Sequence, residues 1–144
     1  MRPVTRTIVR SIHAPVGDVF ALLTDPSRMQ DWLPGCDGAQ SDGPLRRGAS
    51  LVVRFGKRAT SFEIVDFTHS ATFGWVERGQ RQGWKTFFRL DPVGGSTAVT
   101  VRDVWVPRSF GAWVRGAFFD KRRVGLEEIV DNLLHALFRD RPMF

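Results

Sequence analysis

The sequence predicts an α+β fold, a curved antiparallel sheet of six to seven strands wrapped around one long C-terminal helix. Three observations carry this. A run of short segments with period-two apolar alternation occupies residues 51–106 with no helical stretch between them. Two short helix signals follow a first isolated strand, and a single long stretch of helical periodicity closes the chain. The 144 residues fit one domain, 1–144, large enough to bury a core without disulfides or metals.

Residues 4–12 alternate as a strand, with Val4, Arg6, Ile8, Arg10 and Ile12 against Thr5, Thr7, Val9 and Ser11. Pro15 suits a first helical turn, and Val16, Val19, Phe20 and Leu23 follow at helical spacing. Asp25-Pro26 pairs an N-cap carboxylate with a proline at the first helical position. A second short helix with Met29 and Trp32 follows, ended by Pro34-Gly35. Strands are then expected at 51–56, 62–67, 73–77, 84–90 and 97–106, with Gly94-Gly95 as a hairpin turn. Beyond Pro107 the chain reads as helix to about Phe138. That helix is the one element able to cover the apolar face of the sheet.

On a helical projection Phe119, Leu126, Ile129, Val130, Leu133 and Leu137 form one stripe, and Arg115 and Arg122 fall inside it. Either Gly111, Gly116 or Gly125 bends the helix and turns the arginines to solvent, or Arg122 faces an internal cavity and needs an anionic partner. Asp103 poses the matching question, because it alternates in phase with Val99, Val101 and Trp105. An inward carboxylate must be paired or hold its proton. An Asp103–Arg122 pair satisfies both groups, and a partly wet Asp103 at the sheet rim is the alternative. These two are the candidate catalytic residues.

Twelve Phe and five Trp with no Tyr imply an interior rich in apolar area and poor in hydroxyls. A single cysteine, Cys36, excludes an internal disulfide and a cysteine-based metal cluster. The N-terminus lacks a signal-peptide apolar run, and no stretch reaches the roughly 18 apolar residues of a membrane span, so a soluble cytoplasmic protein without membrane insertion is expected. The net charge of +6 is scattered in doublets and triplets such as Arg46-Arg47 and Lys121-Arg122-Arg123. This favours a solvated basic surface over a nucleic-acid partner.

His13, His69 and His135 fall on different elements without zinc-ligand spacing. There is no nucleophile elbow, P-loop or dinucleotide fingerprint, and no local base accompanies Cys36. No metal or cofactor is expected.

The segment Ala14-Pro15-Val16-Gly17-Asp18-Val19-Phe20-Ala21-Leu22-Leu23-Thr24-Asp25-Pro26, continuing through Trp32-Leu33-Pro34-Gly35, resembles the opening of the SRPBCC (START-like) superfamily, in its polyketide cyclase/dehydrase-like branch. Gly43-Pro44-Leu45, Gly48-Ala49, Ile64-Val65-Asp66-Phe67 and the stretch from Trp84 to Thr100 extend the resemblance over essentially the whole chain. It implies a helix-grip fold whose cavity lies between sheet and C-terminal helix, with an entrance near Trp32 and Leu33. It also implies function by enclosing a hydrophobic small molecule.

On that basis the ligand-binding candidates from the sheet are Val53, Phe55, Phe62, Phe73, Trp75, Phe88, Val101 and Trp105. Those from the long helix are Phe119, Leu126 and Val130, and Trp32 and Leu33 complete the set at the entrance. For any one aromatic, plain core packing is the competing explanation. Three functions follow from the resemblance: a non-covalent binder or carrier of an apolar or aromatic molecule, a cyclase, aromatase or dehydratase using the same pocket, and a ribosome- or RNA-associated adaptor. Fold alone does not choose among them, nor does the sequence fix an oligomeric state.

Overall fold

Nine residues at the start of the chain form β1 (Val4–Ile12), and six further strands complete one sheet: β2 (Gly38–Ser41), β3 (Ser50–Phe55), β4 (Arg58–Thr68), β5 (Thr72–Glu77), β6 (Lys85–Val93) and β7 (Ser96–Trp105). Every pairing is antiparallel, in the order β1-β7-β6-β5-β4-β3-β2. The computed structural model describes residues 4–79, 83–105 and 121–140, with the backbone alone at 121–125 and 140.

The alternation read from the sequence appears as two faces. Leu51, Val53, Phe62, Ile64, Phe73, Trp75, Phe88, Leu90, Val99 and Val101 are buried on the concave side, while Val52, Arg54, Arg89 and Arg102 point outward and are exposed. Gly94, at φ +61°, makes the tight β6–β7 turn that leaves Val93 opposite Ser96.

Between β1 and β2 the chain forms α1 (Val16–Leu23), a 3₁₀ turn (Pro26–Arg28) and α2 (Met29–Trp32). Pro15 enters α1 in extended geometry. Asp25 caps the 3₁₀ turn, its Oδ1 accepting from the Ser27 amide at 3.0 Å and from the Ser27 hydroxyl at 2.6 Å. The C-terminal helix α3 (Lys121–Asp140) runs unbroken through Gly125. It buries Leu126, Ile129, Val130, Leu133, Ala136 and Leu137, packing on β1, β7, α1 and α2. No helix among the described residues is long and apolar enough to cross a membrane.

Three features depart from the sequence reading. The four-residue edge strand β2 was not expected; its Gly-Ala-Gln-Ser lacks an apolar alternation, and only β3 holds it. β6 continues through Asp91-Pro92, which reads as a break, because its pairing with β5 has already ended at Arg89 and the missing proline N–H interrupts no ladder there. β4 carries a bulge at Val65, where the register passes from Ile64↔Trp75 to Asp66↔Gly74. The extra residue reverses the alternation. Phe62 and Ile64 face inward before it, and Phe67 rather than Asp66 faces inward after it, against Phe20 and Phe73.

Candidate functional site

The concave face is a continuous array of rings. Trp75 touches Phe62 at 5.5 Å between centroids, Phe73 at 5.5 Å and Phe88 at 5.8 Å. Trp32, delivered from α2, stacks over Trp75 at 6.2 Å and meets Phe88 edge-on at 5.6 Å. Phe73 passes the contact to Phe67 and Phe20 on one side, and Phe62 passes it to Trp84 and Phe55 on the other. Each such pair contributes about 0.5–1.5 kcal/mol beyond the area it buries, so the array is both structure and surface.

Trp32 is held by its backbone as well, since Asn132 of α3 donates from Nδ2 to the Trp32 carbonyl at 3.2 Å. The indole Nε1 atoms of Trp32 and Trp75 are fully buried, and neither meets a hydrogen-bond acceptor among the described residues.

At one end the aromatic wall gives way to polar groups. Asp103 is only 3% exposed, and it accepts hydrogen bonds from the Trp84 indole N–H and from the Thr86 hydroxyl at 3.4 Å. The rim alternative for Asp103 is therefore corrected: alternation on β7 carries it inside, and protein donors satisfy it. Sheet register adds two neighbours that spacing cannot reveal. Arg6 on β1 and Thr86 on β6 stand directly opposite Asp103 on either side, making one polar row across three strands. Glu77 and Trp84 border the row, joined by a bond from the Trp84 amide to the Glu77 carboxylate at 3.3 Å.

The structure brings together most of the residues named from the sequence. Trp32, Leu33, Val53, Phe62, Phe73, Trp75, Phe88, Val101, Leu126 and Val130 are all buried in one core cluster, with Phe55 packed at its edge. Trp75 lies within β5, fully buried, while Trp105 ends β7 and is half-buried. Phe119 and the side chain of Arg122 lie outside the described residues. Sequence reasoning missed Arg6, Trp84 and Thr86, whose signal is a cross-strand register rather than a motif, and Phe67, whose orientation depends on the bulge.

Other reactive groups stand apart from this row. Burial pushes the Cys36 thiol up; a hydrogen bond with the Gly38 backbone opposes the shift and the adjacent Asp37 charge adds to it, so the thiolate is disfavoured. Among the described residues no group of three His, Cys, Asp or Glu is placed to hold a metal ion. A surface groove of about 350 Å³ lies between Ile12-His13 and the Leu134–Phe138 end of α3. It contains none of the residues named above for the site.

These features place the protein among α+β domains with a sheet gripping a helix. The chain belongs to the family described as polyketide cyclase / dehydrase and lipid transport, whose model matches residues 1–137. No curated protein matches it.

Among solved structures it resembles NE0264 from Nitrosomonas europaea (16% identity, TM-score 0.76, covering 95% of this chain and 96% of that one). It also resembles MLL2253 from Mesorhizobium loti (16% identity, TM-score 0.74, covering 96% and 100%). A third similar structure is DynU16, a protein of the dynemicin biosynthetic locus (23% identity, TM-score 0.71), of which this chain spans 48% while 96% of this chain is covered. At these identities the likeness is one of fold.

Proposed function

We propose that this protein binds and carries an apolar or aromatic small molecule, non-covalently, between the concave face of the sheet and α3. One observation carries the proposal: the inward face is apolar from β3 to β7 except for Thr97, whose hydroxyl donates to the Ala14 carbonyl, and a polar row at one end formed by Asp103, Thr86 and Arg6. A ligand with an apolar body and one polar end matches such a surface, because the rings supply contact area and the few polar groups fix orientation. Phe62, Phe73, Trp75, Phe88, Val53 and Val101 are the wall, Leu126 and Val130 the helix side, and Trp32 and Leu33 the corner contributed by α2 and its C-terminal end.

A second reading has its own support. Asp103 is buried and held by two donors on one oxygen, the arrangement of a carboxylate positioned for proton transfer, and the family description includes cyclases and dehydrases. In that case Asp103 takes a proton from a carbon next to one carbonyl, and the resulting enolate carbon bonds to a second carbonyl carbon of the same molecule, whose oxygen receives that proton. Loss of the new hydroxyl with a hydrogen from the adjacent carbon releases water.

Native mass spectrometry of the protein purified from its own host separates the two. A carrier retains an apolar molecule in the native spectrum and loses it on denaturation, and Asp103→Asn retains the same mass. An enzyme leaves on Asp103→Asn a species heavier than the wild-type one by the mass of one or more waters. Absence of any retained molecule, together with no uptake of added aromatic probes, overturns the carrier.

A further inference from the structure

Trp32 and Trp75 each place an indole N–H in the fully buried interior with no acceptor among the described residues. An indole N–H is a donor only, and leaving it unmade in a low-dielectric core costs more than making the bond gains. Buried indoles ordinarily find a partner, so two orphans on neighbouring rings, with centroids 6.2 Å apart at 26°, are unusual. Their edge-on Phe neighbours offer at most a weak π acceptor.

The two donors also belong to different layers. Trp75 stands on the sheet, while Trp32 hangs from the one-turn helix α2, which the Asn132 side chain ties to α3. A molecule that slides between sheet and α2 therefore meets both.

We infer that the indole N–H groups of Trp32 and Trp75 form a donor subsite for an uncharged oxygen acceptor, a carbonyl or ether, on the bound ligand. The inference rests on the carrier reading and names the chemistry of its ligand. Charge is excluded by the surroundings. Phe62, Phe73 and Phe88 pack against the two indole rings, and a carboxylate there gives up its hydration with no cation in the described ring network to replace it. A neutral oxygen loses little and gains two donors that were unmet.

The test uses a matched pair of probes, 2-acetylnaphthalene and 2-ethylnaphthalene, titrated calorimetrically into the wild type, Trp32→Phe and Trp75→Phe. The ketone is expected to bind about tenfold more tightly than the hydrocarbon, and the ratio should fall toward one when the tryptophans are replaced. Reading the ratio within each variant cancels the loss of ring volume. If a variant fails to fold, ¹⁵N spectra of the wild-type indoles decide: of five tryptophans, two protected N–H signals other than that of Trp84, which Asp103 already binds and a Trp84→Phe spectrum identifies, should move downfield with the ketone and not with the hydrocarbon. Equal affinities in the wild type, or a ratio unchanged by both substitutions, overturn the subsite and leave the carrier standing. Failure of both probes to bind overturns the two together.

Discussion

Asp103 and Gly74 lie on opposite faces of the sheet, and each is defined by what a neighbouring aromatic residue requires of it. Asp103 anchors the Trp84 indole N–H on the concave side. Gly74, on the outer face, is buried under Phe87, the residue paired with it across β5 and β6. A Cβ at position 74 would stand 2.5 Å from Phe87 Cδ1 and 3.4 Å from the Asp66 Cβ. Nor can the ring simply lift away, because the Arg102 guanidinium lies over it at 5.0 Å from the centroid. Gly74→Ala is therefore expected to destabilise by about 1–3 kcal/mol through overpacking. Adding Phe87→Ala should recover much of that loss, since the clash and its relief share one contact. Urea unfolding of the two singles and the double gives the coupling; strictly additive effects would place the cost of Gly74→Ala elsewhere.

Among the elements, the bulge in β4 does most to shape the interior. It uses one unpaired residue, Val65, to exchange Asp66 for Phe67 on the concave face. It also leaves Asp66 where its Oδ1 accepts from the Thr72 hydroxyl at 2.7 Å. Deleting Val65 removes only the unpaired residue and leaves Ile64 opposite Trp75, Asp66 opposite Gly74 and Phe67 opposite Phe73, so Asp66 stays outward and Phe67 inward. The expected loss is that of the local bend alone, about 1–3 kcal/mol, not far from the value of less than about 1.5 kcal/mol expected for Val65→Ala, which keeps the bulge. Urea unfolding compares the two, and a loss above about 4 kcal/mol on deletion would mean that the bend itself, rather than the register on either side of it, holds the interior. The bulge was illegible beforehand, because Ile64-Val65-Asp66-Phe67 reads as an ordinary strand with nothing to mark a parity change. β2 was illegible for the opposite reason, as a short edge strand carries no alternation to read. The capped 3₁₀ turn at Asp25-Pro26 and the Gly94 turn were readable because each depends on residues adjacent in sequence.

For the whole molecule the same division holds: local chemistry was legible and cross-strand register was not. Alternation on β7 sufficed to turn Asp103 inward, yet its place between Arg6 and Thr86 comes from pairing two strands at opposite ends of the chain around the sheet order. The sheet's apolar face must be covered, and α3 covers it by packing on β1 and β7 as well as on α1 and α2. A ligand between sheet and helix consequently couples to all of these at once. Saturation with 2-acetylnaphthalene at about 100 times its Kd should stabilise the fold by about 2.7 kcal/mol, because it binds only the folded state. Amide hydrogen exchange then tells where the ligand sits. Interior binding raises protection along β5, β6, β7 and the Leu126–Leu133 stretch of α3, and slows the local opening of α2, while the edge strand β2 continues to exchange by fraying. Binding in the surface groove beside Ile12 and Phe138 would instead confine added protection to the last turns of α3 and the end of β1. That pattern would remove the concave aromatic face as the ligand's site, because a molecule held at the last turns of α3 does not restrain the Leu126–Leu133 stretch that covers the sheet.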